Sequence, residues 1–352
     1  MQQAVDNVVA ILPALFFLCA AVPLADLLGE LGFFDALTAR IVRRFDPLPV
    51  WTLWVLATVT VAVLNLDAAI VLLTPLFIRL ARQAERDVLS LALIPLLLAC
   101  LASSFLPVSN LTTLIVVARF DLSAADVLVH LAPAGLLACV VGWLVYRRRY
   151  DRVLHLHRTD AASDRSALRI GWIIITGLLI GFVAGPLVHI DPWMTAFAAD
   201  VVLAIIVRRL PWRSVPLLTA LGVAACTATV AVVIPTDALT SALEADGPVA
   251  LGGLVLAGTA AANVVDNLPA LFIALDATSS MTHGQWAWLA GVNVGAVLLP
   301  WGALANLLWL RVYRAEGGRI TLAGYVRSVF PIAVPATLAM AVALAASSPW
   351  WP

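Results

Sequence analysis

The chain has 352 residues, 62% of them hydrophobic and 12% charged, with a mean hydropathy of +1.01. A soluble domain carries about 25% charged residues, so this chain cannot hide its apolar surface by folding on itself and reads as an all-α polytopic membrane protein. The formal net charge is zero, which gives no reason to expect a nucleic-acid or acidic partner.

Residues 1–10 carry no Lys or Arg, so no signal peptide is evident. Apolar segments then fall at about 8–28, 50–82, 88–118, 124–146, 170–188, 192–208, 212–234, 248–280, 285–312 and 324–347. A simple span needs roughly 20 residues. Segments 50–82 and 248–280 are too long for one span and too short for two with a loop. Each is broken near its middle by polar residues followed by proline: Asn65, Asp67 and Pro75 in the first, Asn263, Asp266, Asn267 and Pro269 in the second. They are expected to be re-entrant helical hairpins, since irregular backbone at that depth is tolerated only when buried in protein or lining a cavity.

Each hairpin precedes a second interrupted segment, SSFLPVSNLTT at 103–113 and NVGAVLLPWGALAN at 293–306. The pair of hairpin and broken transmembrane helix therefore occurs twice, and the tips even echo one another (TPLFI at 74–78, LPALFI at 268–273). Such pairing points to a transporter site between two inverted repeats. The expected division is a first repeat over 1–146, an Arg-rich loop over 147–169, and a second repeat over 170–352.

All 21 basic residues are arginine, and seven lie in the 147–169 loop. Placing that loop in the cytoplasm, with both hairpins re-entrant, puts every arginine except Arg119 on the same side. The predicted location is the cell inner membrane, and the two hairpins open to opposite faces. Trp51, Trp54, Trp172, Trp212 and Trp309 fall near inner boundaries, and Trp193, Trp286, Trp288, Trp350 and Trp351 near outer ones, so all are expected as interfacial anchors. The stretches 33–45 and 236–246 read as amphipathic surface connectors. The four cysteines (Cys19, Cys100, Cys139, Cys226) show no metal or disulfide spacing and read as small packing residues. Gly177, Gly181 and Gly185 have the spacing of close helix packing. His155 and His157 read as solvated loop residues, and His189 with Asp191 as an outer turn.

These segments resemble the arsenite permease (arsenical pump membrane protein) family of the ion transporter superfamily, over nearly the whole chain. ELGFFDAL at 30–37 resembles its connector, DAAIVLLTP at 67–75 its first hairpin tip, and LPVSNL at 106–111 its first broken helix. DNLPALFI at 266–273 resembles its second tip, and GVNVGAVLLPWGALANLLWLRV at 291–312, the most specific stretch, its second broken helix. The chain departs from the family at Leu66, Asp266, Leu299, Ala303 and Asn306, and begins about two spans later. The resemblance implies a secondary transporter exchanging arsenite or antimonite for protons. It admits a sodium/proton antiporter or an anion carrier of the same superfamily, a homodimer, and a separate ATPase subunit, because no nucleotide loop occurs here.

The candidate substrate- or ion-binding residues are Asn65, Asp67, Thr74, Ser109, Asn110, Thr112, Asp266, Asn267, Asn293, Gly295 and Asn306. Helix ends at mid-membrane present N–H groups and carbonyls, and amides and hydroxyls add hydrogen-bond partners for a small neutral solute such as trihydroxyarsenic(III), or for sodium. A charged side chain there costs about 2.5–3.5 kcal/mol on the insertion scale. Asp67 is therefore expected to couple a proton or cation, or to cap the half-helix that follows it, or both; Asp266 carries the same alternatives. Ser109, Thr112 and Thr113 serve as ligands or bond back along the helix. Asp200, mid-span in AFAADVVLAII, pairs with another polar group at a helix interface or acts as a further relay. No metal-ligand set or nucleophile–base pair appears, so neither a cofactor nor an enzyme is expected. A channel or a membrane scaffold is the remaining class, and two mid-membrane breaks argue against it.

Overall fold

The computed structural model describes residues 2–45, 47–63, 66–150, 152–156, 165–185, 190–233 and 237–347. These are almost entirely helical, apart from a two-residue antiparallel ladder pairing β1 (Leu48–Pro49) with β2 (Val153–Leu154). Among the described residues, four helices are long and apolar enough to cross a membrane, five if one bent pair counts as a span. Together with the shorter apolar helices they make a polytopic membrane protein. Asn65, His157, His189, Trp350 and Trp351 lie outside the described residues.

The chain opens with α1 (Gln2–Glu30) and the amphipathic α2 (Phe33–Arg44). The first interrupted pair follows as α3 (Val50–Val63) and α4 (Leu66–Gln83), then α5 (Val88–Leu101), a short 3₁₀ turn at Pro107–Ser109, and α6 (Leu111–Phe120). α7 (Ala124–His130) and α8 (Ala132–Arg149) form the bent pair, with a 50° angle between them. After α9 (Arg165–Ala184) and α10 (Pro192–Val207), the same order recurs. There is a span α11 (Leu217–Val233), a short α12 (Asp237–Leu243), then α13 (Pro248–Val265) with α14 (Asn267–Leu275). Then come α15 (His283–Val294), a 3₁₀ turn at Gly295–Leu298, α16 (Leu304–Ala315), and a long closing α17 (Leu322–Ser347).

The two hairpins are unequal. At 1.5 Å per residue, the 14-residue α3 and the 18-residue α4 are about 21 and 27 Å long. The 18-residue α13 and the 9-residue α14 are about 27 and 14 Å. In the second pair, α14 ends at Leu275. Close packing explains how α13 meets the second broken helix. A Cβ on Gly291 would lie 2.0 Å from the Val255 carbonyl oxygen, and one on Gly258 2.6 Å from that of Trp288. Only glycines let the two backbones approach so closely.

Several tryptophans are not interfacial anchors. Trp54, Trp286, Trp288 and Trp309 are buried, while Trp51, Trp172 and Trp212 are exposed. Two of the buried ones find an acceptor for the indole N–H: Trp309 Nε1 donates to the Ala92 carbonyl at 2.8 Å, and Trp288 Nε1 to that of Ala270 at 3.0 Å. Gly181 and Gly185 pack as expected, against Thr195 and the Ile190 carbonyl, but Gly177 faces open space. The half-buried Arg79 of α4 meets Asp35 of α2 at 2.6 Å and Glu316 beyond α16 at 3.2 Å, with Arg82 also on Glu316. This network ties the first hairpin to the second broken helix.

Candidate functional site

Both hairpin tips place a carboxylate at a helix N-terminus. Asp67 lies in the first turn of α4, and Asp266 is the N-cap of α14, its Oδ1 accepting the Leu268 N–H at 3.1 Å. The capping alternative thus holds for Asp266, but only for one of its oxygens. Oδ2 is buried with no hydrogen-bond partner. Asp67, Asp266 and the buried thiol of Cys100 lie within electrostatic reach of one another. The two tips are about 200 residues apart in sequence, and Cys100, near the end of α5, reaches Asn306 of α16.

Asp266 has φ 80° and ψ 153°, a region open essentially only to glycine. Holding a carboxylate there costs about 1–3 kcal/mol, and such residues concentrate at functional sites. Asp266→Gly removes this strain and the carboxylate together, and Gly caps nearly as well as Asp. The variant is expected to unfold in detergent at the wild-type midpoint or up to about 1 kcal/mol above it, allowing for glycine's larger unfolded-state entropy. Its transport should nevertheless be lost. A large drop in midpoint would show that the carboxylate holds the tip together.

The two broken helices meet through one amide. Asn110 caps α6, its side-chain oxygen accepting the Thr112 N–H at 3.1 Å. Asn293, on α15, accepts from Asn110 Nδ2 at 3.1 Å and from Thr112 Oγ1 at 2.5 Å, and donates from Nδ2 to Thr113 Oγ1 at 3.0 Å. Asn293, Asn110, Thr112 and Thr113 are all buried. Thr112 and Thr113 thus turn across the repeat interface toward Asn293.

The remaining expected residues divide by how fully they are engaged. Asn306 donates to the Ala296 and Leu299 carbonyls at 2.9 and 3.0 Å, closing the second break, and its oxygen receives the Cys100 thiol at 3.7 Å. Ser109 donates to the Ser103 and Leu106 carbonyls and so shapes the first break. At Gly295 an added Cβ would lie 2.1 Å from Thr259 Oγ1, so this glycine serves close packing. Thr74 Oγ1 and Asn267 Oδ1, by contrast, are buried without hydrogen-bond partners.

Sequence reading passed over three residues as site members. Asn263 donates to the Gly295 carbonyl and accepts the Leu299 N–H, both at 2.8 Å, so α13 holds the second break open. Its position beside Asp266 in the interrupted stretch was the available signal. Ser104, inside SSFLPVSN, is buried with an unpartnered hydroxyl. Cys100 has a specific polar partner rather than only filling space. Buried polar atoms without partners cost about 1–3 kcal/mol each, so Thr74, Ser104, Asp266 and Asn267 are the groups best placed to receive a hydrogen-bonding solute or ion.

The model of the citrate transporter (CitMHS) family matches residues 3–292. Among curated relatives, the arsenical pump membrane protein of Escherichia coli K12 is 25% identical, over 93% of this chain and 84% of its own length. That of Yersinia enterocolitica is 27% identical over the same shares. An uncharacterized transporter of Mycobacterium tuberculosis is 23% identical over 96% of the chain and 85% of its own length. The resemblance read from the hairpin tips and broken helices agrees with these relatives.

Proposed function

Because the chain belongs to the citrate transporter (CitMHS) family of membrane transporters, we propose that it exports arsenite or antimonite in exchange for protons by alternating access. The observation that carries this reading is a carboxylate at the helix start of each interrupted pair, together with buried, unpartnered oxygens on Thr74, Ser104, Asp266 and Asn267. Trihydroxyarsenic(III) is small, neutral and rich in hydrogen-bonding groups, and suits such a set. A multiply charged anion such as citrate would favour a fixed arginine, and no arginine is among the site residues. The relatives whose names specify arsenical pumping support the same choice.

In this reading Asp67 carries the coupling proton, Asp266 shares the task, and Thr74, Ser104 and Asn267 contact the solute. Asn65 stays among the proposed ligands on its place at the first tip. The Arg-rich 147–169 loop faces the cytoplasm, in the plasma membrane. A homodimer and a separate ATPase subunit remain admissible partners. A sodium/proton antiporter is the second reading, favoured by the same carboxylate pair, which suits sodium as well as a proton.

Growth of an arsenite-sensitive bacterial host expressing the chain tests the proposal. Resistance above the empty vector is expected, together with arsenite accumulation in everted vesicles that an imposed proton gradient drives. No resistance from a well-inserted chain would overturn arsenite export, and sodium uptake in the same vesicles would then identify the second reading.

A further inference from the structure

Asp200 takes no part in the tips or breaks. It is 9% exposed, and its Oδ1 is buried without a hydrogen-bond partner among the described residues, where the expected pairing with another polar group is not seen for that oxygen. It opens instead on a crevice of about 720 Å³ between α1 and α10. Phe16, Cys19 and Pro23 line it from α1, Trp193 and Phe197 from α10, and Trp212 from the turn that follows. Among the described residues that line the crevice, none is basic and Asp200 is the one with an acidic side chain. Phe16 and Trp193 meet in its wall with ring centroids 5.1 Å apart.

A lone carboxylate in an aromatic, apolar groove is complementary to a cation that brings its own hydrocarbon. The charge answers Asp200, the rings offer their negative faces to the same cation, and the groove takes the tail. We propose that this crevice is a membrane-facing binding site for amphiphilic amines, with the protonated amine on Asp200 and the alkyl tail along α1 and α10. Two sources carry this chemistry, a free amphiphilic amine and a lipid with an ammonium headgroup. Asp200 is eight residues past Pro192 in the 16-residue α10, about 12 Å from that helix's end. That depth favours the free amine, because a lipid headgroup stays at the interface.

The test measures dodecylamine and dodecanol binding to the full chain in maltoside detergent micelles, which carry no ammonium headgroup, by native mass spectrometry. Dodecylamine is expected to saturate and to bind about tenfold more tightly than dodecanol, the range of a desolvated cation–aromatic and carboxylate contact. Asp200→Asn should erase that preference and leave dodecanol unchanged. Ala204→Trp, which fills the crevice without touching the carboxylate, should weaken both ligands and serves where Asp200→Asn does not fold. Adding phosphatidylethanolamine separates the sources: displacement of dodecylamine assigns the site to the lipid, and retention assigns it to the free amine. Equal binding of amine and alcohol to the wild type, or an unchanged preference in Asp200→Asn, would overturn the proposal.

Discussion

Asp67→Asn is expected to abolish proton-driven arsenite accumulation in everted vesicles, lowering the initial rate by about 100-fold or more, the usual scale for removing an essential proton-transferring group. The chemical and folding effects of this change separate cleanly. Asparagine is nearly isosteric and keeps an oxygen to cap the start of α4. It also removes a charge whose insertion costs about 2.5–3.5 kcal/mol, so membrane expression and the unfolding midpoint should hold or rise. A wild-type rate in a well-expressed Asp67→Asn chain would remove Asp67 from the coupling step. A residual flux that no longer responds to the proton gradient would show that the solute still passes but has been uncoupled.

Asn293→Leu carries the second large expected effect, and it acts through structure. One side chain holds three hydrogen bonds that join the broken helices of the two repeats. Leucine matches its size but leaves Asn110, Thr112 and Thr113 without those partners in a buried place. Losing three such contacts should cost about 2–4 kcal/mol, toward the lower end because hydrogen bonds inside membrane proteins average well under 1 kcal/mol. The unfolding midpoint in detergent should fall and transport should be lost with it. Thr112→Val, which removes one of the three, should fall between wild type and Asn293→Leu. If Asn293→Leu unfolds at the wild-type midpoint, the bridge is not what holds the breaks together.

The positions of the unusual elements were legible in the chain. A carboxylate and a proline inside a long apolar run mark a hairpin tip, because neither fits a continuous lipid-exposed helix. Pro107 and Gly302 mark breaks in the same way. The end of α14 was legible too, since four of residues 276–280 (Asp276, Thr278, Ser279 and Ser280) are polar and the helix stops just before them. The burial of Trp54, Trp286, Trp288 and Trp309 was hidden. A tryptophan near a predicted membrane boundary reads as an anchor until a carbonyl from a distant helix is seen to accept its N–H, as Ala92 does for Trp309.

Sequence alone determined the class: a membrane-embedded helical chain with two copies of a hairpin and a broken helix, and a carboxylate in each tip. Those properties depend on composition and local pattern, which are written along the chain. Tertiary structure decided which polar groups meet. Asn293 and Asn110 are 183 residues apart, Cys100 and Asn306 206, and such pairings leave no local signature because they arise only when the helices pack. It also decided which groups are already satisfied, so that Ser109 and Asn306 shape the breaks while Thr74, Ser104, Asp266 and Asn267 keep buried atoms without partners.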